Sequence, residues 1–259
     1  MVIFNKNEIF TLWVKNRPTN IQIRCWKSWV KLGYKVTIYC DDTSLLPDEI
    51  NSKCIIKSPL LNSSPSFEFK EDKILQCADL WRFIRLKELG GTWVDSDLYL
   101  FNRLPHDNII ISSEHTPQSG GRKTKNPLRP NIGVLRFPPN DPFVVDVVEK
   151  LLPTTKADEN ANSHQTSKML KFVKLLQGKK WEKYNEFVAT PDVYCPIPYQ
   201  FAKEIYEMDW MDIYKKKYNL DFYNKTEKTL GVHLWANIVR NKIINIHGHT
   251  ESFFHHHCA

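Results

Sequence analysis

Apolar residues recur with two different periods at the start of the chain. Residues 9–14 (IFTLWV) form a short apolar run that predicts a buried strand, and residues 34–40 (YKVTIYC) alternate as a strand does. Between them, residues 21–32 (IQIRCWKSWVKL) place apolar side chains at helical spacing, and Gly33 follows as a stop. This succession predicts a βαβ unit, which requires a parallel sheet covered by helices.

The strongest helical pattern covers residues 71–91, where an apolar stripe includes Trp81 and Leu89 and Gly90 supplies a left-handed cap. Residues 92–101 (TWVDSDLYLF) then predict a strand that two aspartates interrupt. The remaining pattern predicts strands at 108–113 and 131–137 and helices at 141–152 and 163–178.

One polar segment separates two of the predicted strands. Residues 115–130 (HTPQSGGRKTKNPLRP) are rich in glycine, proline and basic residues, so we expect a loop that can move over a substrate. No internal repeat and no linker composition occurs elsewhere, which favours a single domain over residues 1–259.

Composition agrees with a folded globular protein. Of 259 residues, 42% are hydrophobic and 25% are charged, which argues against disorder. The net charge of +7 suits an anionic small molecule, an acidic polymer or a membrane surface, and equally a solvated lysine face. Six cysteines without a C-x-x-C pair favour free thiols in a reducing compartment. Without a secretion signal or membrane-length apolar run, we expect a cytoplasmic protein (in the host cytoplasm if viral), with at most peripheral membrane contact.

Asp95 and Asp97 lie inside an apolar β-type run. Side chains at positions i and i+2 of a strand point the same way, so the two carboxylates would converge and repel each other. Taken alone, a D-x-D sequence is usually an exposed turn with two solvated acids. Because uncompensated buried charge costs several kcal/mol, acids within a buried run favour a divalent cation, and Mg²⁺ or Mn²⁺ bridging a diphosphate is the usual arrangement.

Asp79 and Arg82 lie three residues apart on the preceding helix and share one face. A local ion pair is the simpler interpretation, and it would contribute a few tenths of a kcal/mol if exposed. Both residues sit near the apolar side of the helix, which favours a pair that faces a polar ligand.

These residues carry a resemblance to a known family. The segment CADLWRFIRLKELGGTWVDSDLYL (77–100) is similar to the pattern A-D-x-x-R-x-x-x-L-x-x-x-G-G-x-Y-x-D-x-D of sugar transferases with a D-x-D motif. That group includes glycosyltransferase family 32, with capsular polysaccharide transferases and yeast mannosyltransferases, and more distantly the glucosylating clostridial toxins. Trp93 stands where the family prefers tyrosine.

Other segments resemble the family in the same order along the chain. They are the opening strand and helix within residues 9–42, the segment RPNIGVLRFPPNDPFV (129–144) and the element VHLW (232–235). The resemblance covers residues 9–150 well, is thin over 151–225 and returns at His233.

The resemblance implies an α/β GT-A fold, with a Rossmann-like mixed central sheet flanked by helices. It implies a nucleotide-sugar-binding core at about residues 1–150 and acceptor-side and C-terminal elements at about 151–250. The implied activity is metal-dependent hexosyl transfer, with retention, from a UDP- or GDP-sugar to a hydroxyl of a glycan or glycoprotein. The implied cofactor is Mn²⁺ or Mg²⁺, and nucleic acid is not an implied partner.

The resemblance also assigns roles to individual residues. The implied metal ligands are Asp95, Asp97 and His233. The implied catalytic residues are Asp79 and Asp97. The implied donor-binding residues are Trp13 at the nucleobase, Asp79 and Arg82 at the sugar hydroxyls, Asp95 at ribose and sugar, Asn131 near the transferred sugar, and Gly91 and Trp235.

Local pattern leaves several of these roles open. The pattern around Trp13 suits a core residue as well as a residue that stacks on a nucleobase. His233 suits a buried core histidine as well as a metal ligand, and Asn131 could simply cap a strand. No separate general base stands out, and the resemblance implies that a departing phosphate oxygen takes the acceptor proton.

Two other classes of function remain as alternatives. A D-x-D phosphotransferase or phosphatase needs its first aspartate after an N-terminal strand, usually in D-x-D-x-[TV], whereas here Leu98 and Tyr99 follow the pair. A non-catalytic carbohydrate- or nucleic-acid-binding domain would use the aromatic residues and the positive charge, but no RNA-binding signature occurs.

Overall fold

The computed structural model describes residues 4–59, 74–115, 128–151, 166–208, 229–236, 254–255 and 258. Its strands are β1 Glu8–Trp13, β2 Lys35–Cys40, β3 Ile55–Lys57, β4 Gly91–Val94, β5 Leu98–Leu100, β6 Ile110–His115, β7 Leu128–Phe137 and β8 Gly231–His233. Six of them form a sheet in the order β3-β2-β1-β4-β7-β6, and β5 pairs with β8 in a second, two-stranded sheet. β3, β2, β1 and β4 are parallel to one another. β7 pairs antiparallel with β4, and β6 pairs antiparallel with β7.

Helices connect and cover these strands. The α-helices are α1 Asn20–Lys31, α2 Asp48–Asn51, α3 Ile74–Leu89, α4 Pro142–Leu151, α5 Thr166–Leu176, α6 Pro191–Tyr194 and α7 Glu204–Glu207. Shorter-pitched 3₁₀ segments are Thr43–Leu45, Lys179–Phe187 and Tyr199–Phe201.

The opening βαβ unit forms as the sequence predicts. β1 and β2 pair in parallel and end side by side, with Trp13 opposite Cys40. α1 begins with a capping box between Thr19 and Gln22, in which the Thr19 N–H donates to Gln22 Oε1 at 2.9 Å. The helix stops before Gly33, whose φ of 79° is the left-handed conformation that glycine adopts without steric cost.

Two hydrophobic clusters lie on opposite faces of the large sheet. Ile9 and Phe10 are neighbours on β1, so their side chains point to opposite faces. Ile9 packs in the cluster that contains Trp29 of α1, whereas Phe10 packs with Trp81 of α3 and Phe143 of α4. This arrangement confirms the predicted fold class, an α/β GT-A fold with a Rossmann-like mixed central sheet flanked by helices.

The predicted strand over residues 92–101 is two strands in two sheets. β4 ends at Val94, residues 95–97 form a turn, and β5 leaves the large sheet to pair with β8. The interruption by Asp95 and Asp97 was predicted, but their position on one continuous strand was wrong. The strand pairing ends at the two aspartates because burying a carboxylate among the apolar side chains of a strand, without polar partners, would be unfavourable.

Two further predictions need correction. Strand structure extends into the predicted loop at 115–130, since β6 ends at His115 and β7 begins at Leu128. Residues 116–127 of that predicted loop lie outside the described residues. Leu89 is 55% exposed and does not belong to the buried side of α3, because it lies in the last turn before the cap at Gly90.

The described residues contain no disulfide. Among the same residues, no helix combines the length and the apolar character that crossing a bilayer requires.

Candidate functional site

A cavity of about 490 Å³ opens at one edge of the large sheet. β1 and β4 are adjacent and parallel, so their carboxyl ends meet at this edge. From β1 the chain proceeds to β2 on one side, whereas β4 lies on the other side. Open α/β sheets bind ligands at such a point of divergence, outside the carboxyl ends of the strands.

The turn after β4 brings both aspartates to the cavity. The Asp95 N–H donates to the Gly133 carbonyl of β7 at 2.8 Å, and the Leu98 N–H donates to the Asp95 carbonyl at 3.0 Å. Asp95 and Asp97 both line the cavity, and Asp97 is only 8% exposed. The turn therefore directs two carboxylates inward although neither residue belongs to a strand.

His233 reaches the aspartates from a distant part of the chain. β5 and β8 pair with Leu98 opposite His233, which places the imidazole beside the turn. His233 Nε2 lies 3.0 Å from Asp97 Oδ1 and 3.7 Å from Asp95 Oδ2. One ligand atom from each of the three residues lies within 4.8 Å of the other two. The sequence left His233 undecided between core and ligand, and the structure brings it to the carboxylates.

The segment after β8 holds Asp97 in place. The Leu234 N–H donates to the Asp97 carbonyl and the Ala236 N–H to Asp97 Oδ2, both at 2.8 Å. Between them, Trp235 has a φ of 52°, an uncommon conformation for a bulky residue. Its ring lies over His233 with 4.0 Å between centroids. Strained backbone of this kind persists where surrounding contacts impose it and is frequent at functional sites.

Arg82 joins α3 to the turn. Its Nη2 donates to Asp79 Oδ1 and its Nη1 to Asp95 Oδ1, each at 2.8 Å, and Nη1 also donates to the Ile132 carbonyl at 2.7 Å. The guanidinium lies 4.4 Å from the centre of the Trp93 ring. The predicted pairing of Asp79 with Arg82 is therefore present, and all five residues line the cavity.

The charges around the turn favour a positive partner for Asp97. Burial raises the pKa of Asp95, although Arg82 and then His233 oppose the shift. Burial acts upward on Asp97 too, but the charge and hydrogen bond of His233, with the Ala236 N–H, leave its pKa below the ordinary value. Burial would lower the pKa of His233, yet Asp97 outweighs burial and raises it well above the usual range. Positive charge is thus stabilised here, whether a proton or a metal ion carries it.

The donor set fits a divalent cation. Asp95 Oδ1 accepts from Arg82 and from Trp93 Nε1, at 2.7 Å for the indole, and Oδ2 is the oxygen that lies 3.7 Å from His233 Nε2. Two carboxylates and an imidazole are ligands that suit Mn²⁺, and the carboxylates alone suit Mg²⁺. Asp95, Asp97 and His233 are therefore the described residues that could hold a metal ion.

The β1 end of the cavity combines aromatic and apolar side chains with a polar one. Trp13 lies at the last position of β1, half-buried, and its ring meets Trp26 edge-on at 5.9 Å. Trp13 Nε1 donates to the Asn16 carbonyl at 2.6 Å, which fixes the orientation of the indole. Leu12 and Gln22 line the same end. Trp13 therefore combines contact with the core and exposure to the cavity, which the sequence had presented as alternatives.

Asn131 lies on β7 between the aspartate turn and β6. Its Oδ1 accepts from the Gly133 N–H at 3.1 Å and from the Ser112 hydroxyl, and its Nδ2 donates to Cys195 Sγ at 3.2 Å. The amide is thus held from several sides while it lines the cavity. Its expected proximity to a bound sugar remains a prediction.

Comparisons with known proteins find similarity in structure only. No family model and no curated protein matches the chain. The PaToxG glycosyltransferase is similar at 16% identity, with a TM-score of 0.48, over 70% of this chain and 69% of that one. The UDP-bound glycosyltransferase domain of the YGT toxin is similar at 10% identity, with a TM-score of 0.43, over 92% and 77%. The apo glycosyltransferase GlyE of Streptococcus pneumoniae TIGR4 is similar at 12% identity, with a TM-score of 0.44, over 89% and 54%.

At identities of 10–16% and TM-scores of 0.43–0.48, these similarities assign no residue role. The roles of individual residues rest on the geometry of this chain and on the motif resemblance of its sequence.

Gly91 is the one predicted site residue that the structure leaves away from the cavity. It begins β4, at the strand end opposite the aspartate turn, with a φ of 110°. A Cβ built on it would lie 3.3 Å from the Phe10 ring. The geometry explains the glycine by backbone conformation and close packing, and its position gives no support to contact with a donor.

Sequence reasoning missed two charged residues that line the cavity. Glu114 on β6 faces Arg129 on β7 across the ladder, with 3.4 Å between Glu114 Oε1 and Arg129 Nε. Glu114 lies one residue beyond the predicted strand and Arg129 lay inside the predicted loop, so neither carried a spacing signal. Only the register of the β6–β7 hairpin pairs them.

Proposed function

We propose that this chain is a metal-dependent glycosyltransferase of a family-32-like type. In this proposal it transfers a hexosyl group from a UDP- or GDP-sugar to a hydroxyl of a glycan or glycoprotein, and residues 1–259 act as one domain. The observation that carries the proposal is the convergence of Asp95, Asp97 and His233 in one cavity at the divergence of β1 and β4.

The three convergent residues would hold Mn²⁺ or Mg²⁺. When bound, the ion would supply positive charge against the diphosphate leaving group, as a Lewis acid does. Asp97 is already fixed by two backbone N–H groups and His233, so its carboxylate needs little reorganisation to act as a ligand. Trp235 packs on the His233 ring. It would therefore lie beside the metal ion, on the side where the donor binds.

Asp79 and Arg82 would bind the donor sugar. Arg82 is held by two carboxylates and by the Trp93 face, so its position is fixed before any ligand arrives. Asp79 places negative charge at the cavity wall, which would favour positive charge that develops on the sugar in the transition state. Asn131, on the next strand, would lie near the transferred sugar.

Trp13 would bind the nucleobase at the β1 end of the cavity. Its indole is oriented by the Asn16 carbonyl, packs against Trp26 in an edge contact and lines the cavity, where it would meet a planar ring. Gly91 is left out of the donor-binding set because of its position.

The first test is hydrolysis of a panel of nucleotide sugars, namely UDP-glucose, UDP-galactose, UDP-N-acetylglucosamine and GDP-mannose, with Mn²⁺, with Mg²⁺ and with a chelator. We expect metal-dependent hydrolysis of at least one donor. Asp97→Asn is expected to lower that rate at least about 100-fold, because it removes a charged ligand. Asp48→Asn, which changes an exposed aspartate of α2, is the matched control and should retain the wild-type rate.

The outcomes separate the alternative functions. If the protein binds a sugar but hydrolyses none of the donors, the result would favour a non-catalytic carbohydrate-binding domain. Hydrolysis of p-nitrophenyl phosphate that depends on Asp95 would favour the phosphotransferase, which the location of Asp95 after β4, rather than after the first strand, argues against. Retention is tested separately by proton NMR of the released sugar, where an inverted anomer would reject retention but not sugar transfer.

A further inference from the structure

Glu114 and Arg129 form a second charged group in the cavity, apart from the aspartate turn. Glu114 is 6% exposed, whereas the Arg129 side chain is 22% exposed. A carboxylate this deeply buried needs compensation, which Arg129 supplies from the neighbouring strand. The pair therefore holds a carboxylate at the cavity wall in a defined position.

The order of the strands places Glu114 and Arg129 at one end of a row of residues that line the cavity. Along the cavity edge, Trp13 comes from β1, Asp95 follows β4, Asn131 comes from β7 and Glu114 from β6, and these strands are successive neighbours. Adjacent strands lie about 4.8 Å apart, so β6 is roughly 10 Å from β4 and roughly 14 Å from β1.

A nucleotide sugar has its parts in a fixed order, which are base, ribose, diphosphate and sugar. With the base at Trp13 and the diphosphate at the aspartate turn, the sugar extends toward β7 and β6. The acceptor hydroxyl must reach C1, the sugar carbon bonded to the diphosphate, from the part of the cavity that the nucleotide does not occupy, which is the β7–β6 end of the row. Glu114 occupies that end of the row, on the side away from the nucleotide.

We propose that Glu114 and Arg129 form the subsite for the acceptor, in which the Glu114 carboxylate orients the hydroxyl that receives the sugar by accepting a hydrogen bond from it. As that oxygen bonds to C1 of the sugar, the bond from C1 to the diphosphate breaks, and the hydroxyl proton passes to the departing phosphate oxygen rather than to Glu114. This inference rests on the proposed function. The chemical class it names is a neutral hydroxyl nucleophile, either a carbohydrate hydroxyl or, in hydrolysis, water. Arg129 acts as a positioning residue that keeps the carboxylate in place.

The electrostatics of Glu114 agree with this role. Burial raises the pKa of Glu114, and Arg129 first, then His233 and a hydrogen bond with Asn131, oppose that shift. A desolvated carboxylate accepts a stronger hydrogen bond from a hydroxyl than a solvated one does.

The test uses the full chain and the donor that the wild-type protein hydrolyses fastest, with water as the acceptor. Glu114→Ala is expected to lower kcat for hydrolysis about 10-fold or more, because the nucleophile loses its positioning partner. The donor KM and the Kd for UDP or GDP with Mn²⁺ should stay within about twofold, because Glu114 lies beyond the nucleotide. Glu114→Gln keeps an accepting oxygen and is expected to recover part of the loss.

Glu8→Gln is the matched control. Glu8 is also a strand carboxylate paired with one basic side chain, with 3.6 Å to Lys35 Nζ, but it begins β1 at the edge away from the cavity. An unchanged kcat in Glu114→Ala would overturn the inference while leaving the proposed function intact. Equal losses in kcat and nucleotide affinity would show a structural role and also overturn it. Absence of hydrolysis by the wild-type protein would instead reject the proposed function.

Discussion

Two buried arginines near the two ends of β4 have opposite surroundings. Arg82, at the cavity end, is held by the carboxylates of Asp79 and Asp95. Arg136, which pairs with Thr92 near the start of β4, is 1% exposed and donates to neutral oxygens only among its described hydrogen bonds. Arg82 and its two carboxylate partners line the cavity, whereas Arg136 does not.

The oxygens around Arg136 come from three separate segments. Its Nε donates to Thr92 Oγ1 at 2.8 Å, its Nη1 to the Pro105 and Asp107 carbonyls, and its Nη2 to the Lys6 carbonyl. Burial lowers the pKa of this guanidinium, since few charges compensate it. Arg136 therefore ties loops to the sheet. A buried arginine indicates a ligand site only when its partners border a space that a ligand can enter.

The largest expected effect is on stability, in Arg136→Met. The change leaves several carbonyls without their donor and is expected to lower the free energy of unfolding by about 4 kcal/mol. Urea unfolding measures it. A loss below about 1 kcal/mol would contradict the comparison. The turnover of the folded fraction should be unchanged, because Arg136 does not line the cavity.

Arg82→Met is expected to have its main effect on activity. The carboxylates of Asp79 and Asp95 remain at the cavity, where water can solvate them, so we expect a stability loss of about 2 kcal/mol. The kcat/KM for the donor should fall about 100-fold, equivalent to about 2.7 kcal/mol. Titrations with UDP and with the donor, both in the presence of Mn²⁺, should show a larger loss of affinity for the donor than for UDP. Equal losses of affinity would contradict a contact between Arg82 and the sugar.

Gly91→Ala examines the strand end that the structure separates from the cavity. A φ of 110° and a Cβ position 3.3 Å from Phe10 make the substitution strained. We expect a loss of about 2 kcal/mol in the free energy of unfolding, measured in urea, with donor KM unchanged. A raised KM without a stability change would return Gly91 to the donor-binding residues.

Thr19→Ala is expected to have the smallest effect. It removes the threonine side chain from the capping box of α1 and should cost about 1 kcal/mol. Gln22, the other member of the box, lines the β1 end of the cavity, so UDP affinity is the second measurement. Loss of nucleotide affinity well beyond the loss of stability would show that the cap also positions Gln22 for the base.

Local features of the sequence were sufficient for much of the fold. The βαβ unit and the cap at Gly90 form as predicted. The helix predicted at 141–152 also forms, and at its start the Phe143 N–H donates to Asp141 Oδ1 at 3.0 Å. Strand ends were less accurate, since β6 and β7 both extend past their apolar runs. Pairing partners can continue a ladder through polar residues, which a hydrophobic pattern does not reveal.

The candidate site divides in the same way. Asp79 with Arg82, and Asp95 with Asp97, are close in sequence, so helical spacing and a short turn bring their side chains to one place. Helical spacing is therefore sufficient to predict the first pair. Convergence of the second pair was also predicted, but from alternation along a strand, whereas a turn produces it.

The other contacts depend on strands that meet across long separations. His233 lies 136 residues from Asp97 and reaches it through the β5–β8 register, and Glu114 meets Arg129 through the β6–β7 register. Shifting either ladder by one residue would turn these side chains to the opposite face. The residue pattern therefore specified the elements and the acidic turn, whereas the folded sheets chose which distant side chains complete the cavity, because strand register is set by packing over the whole chain.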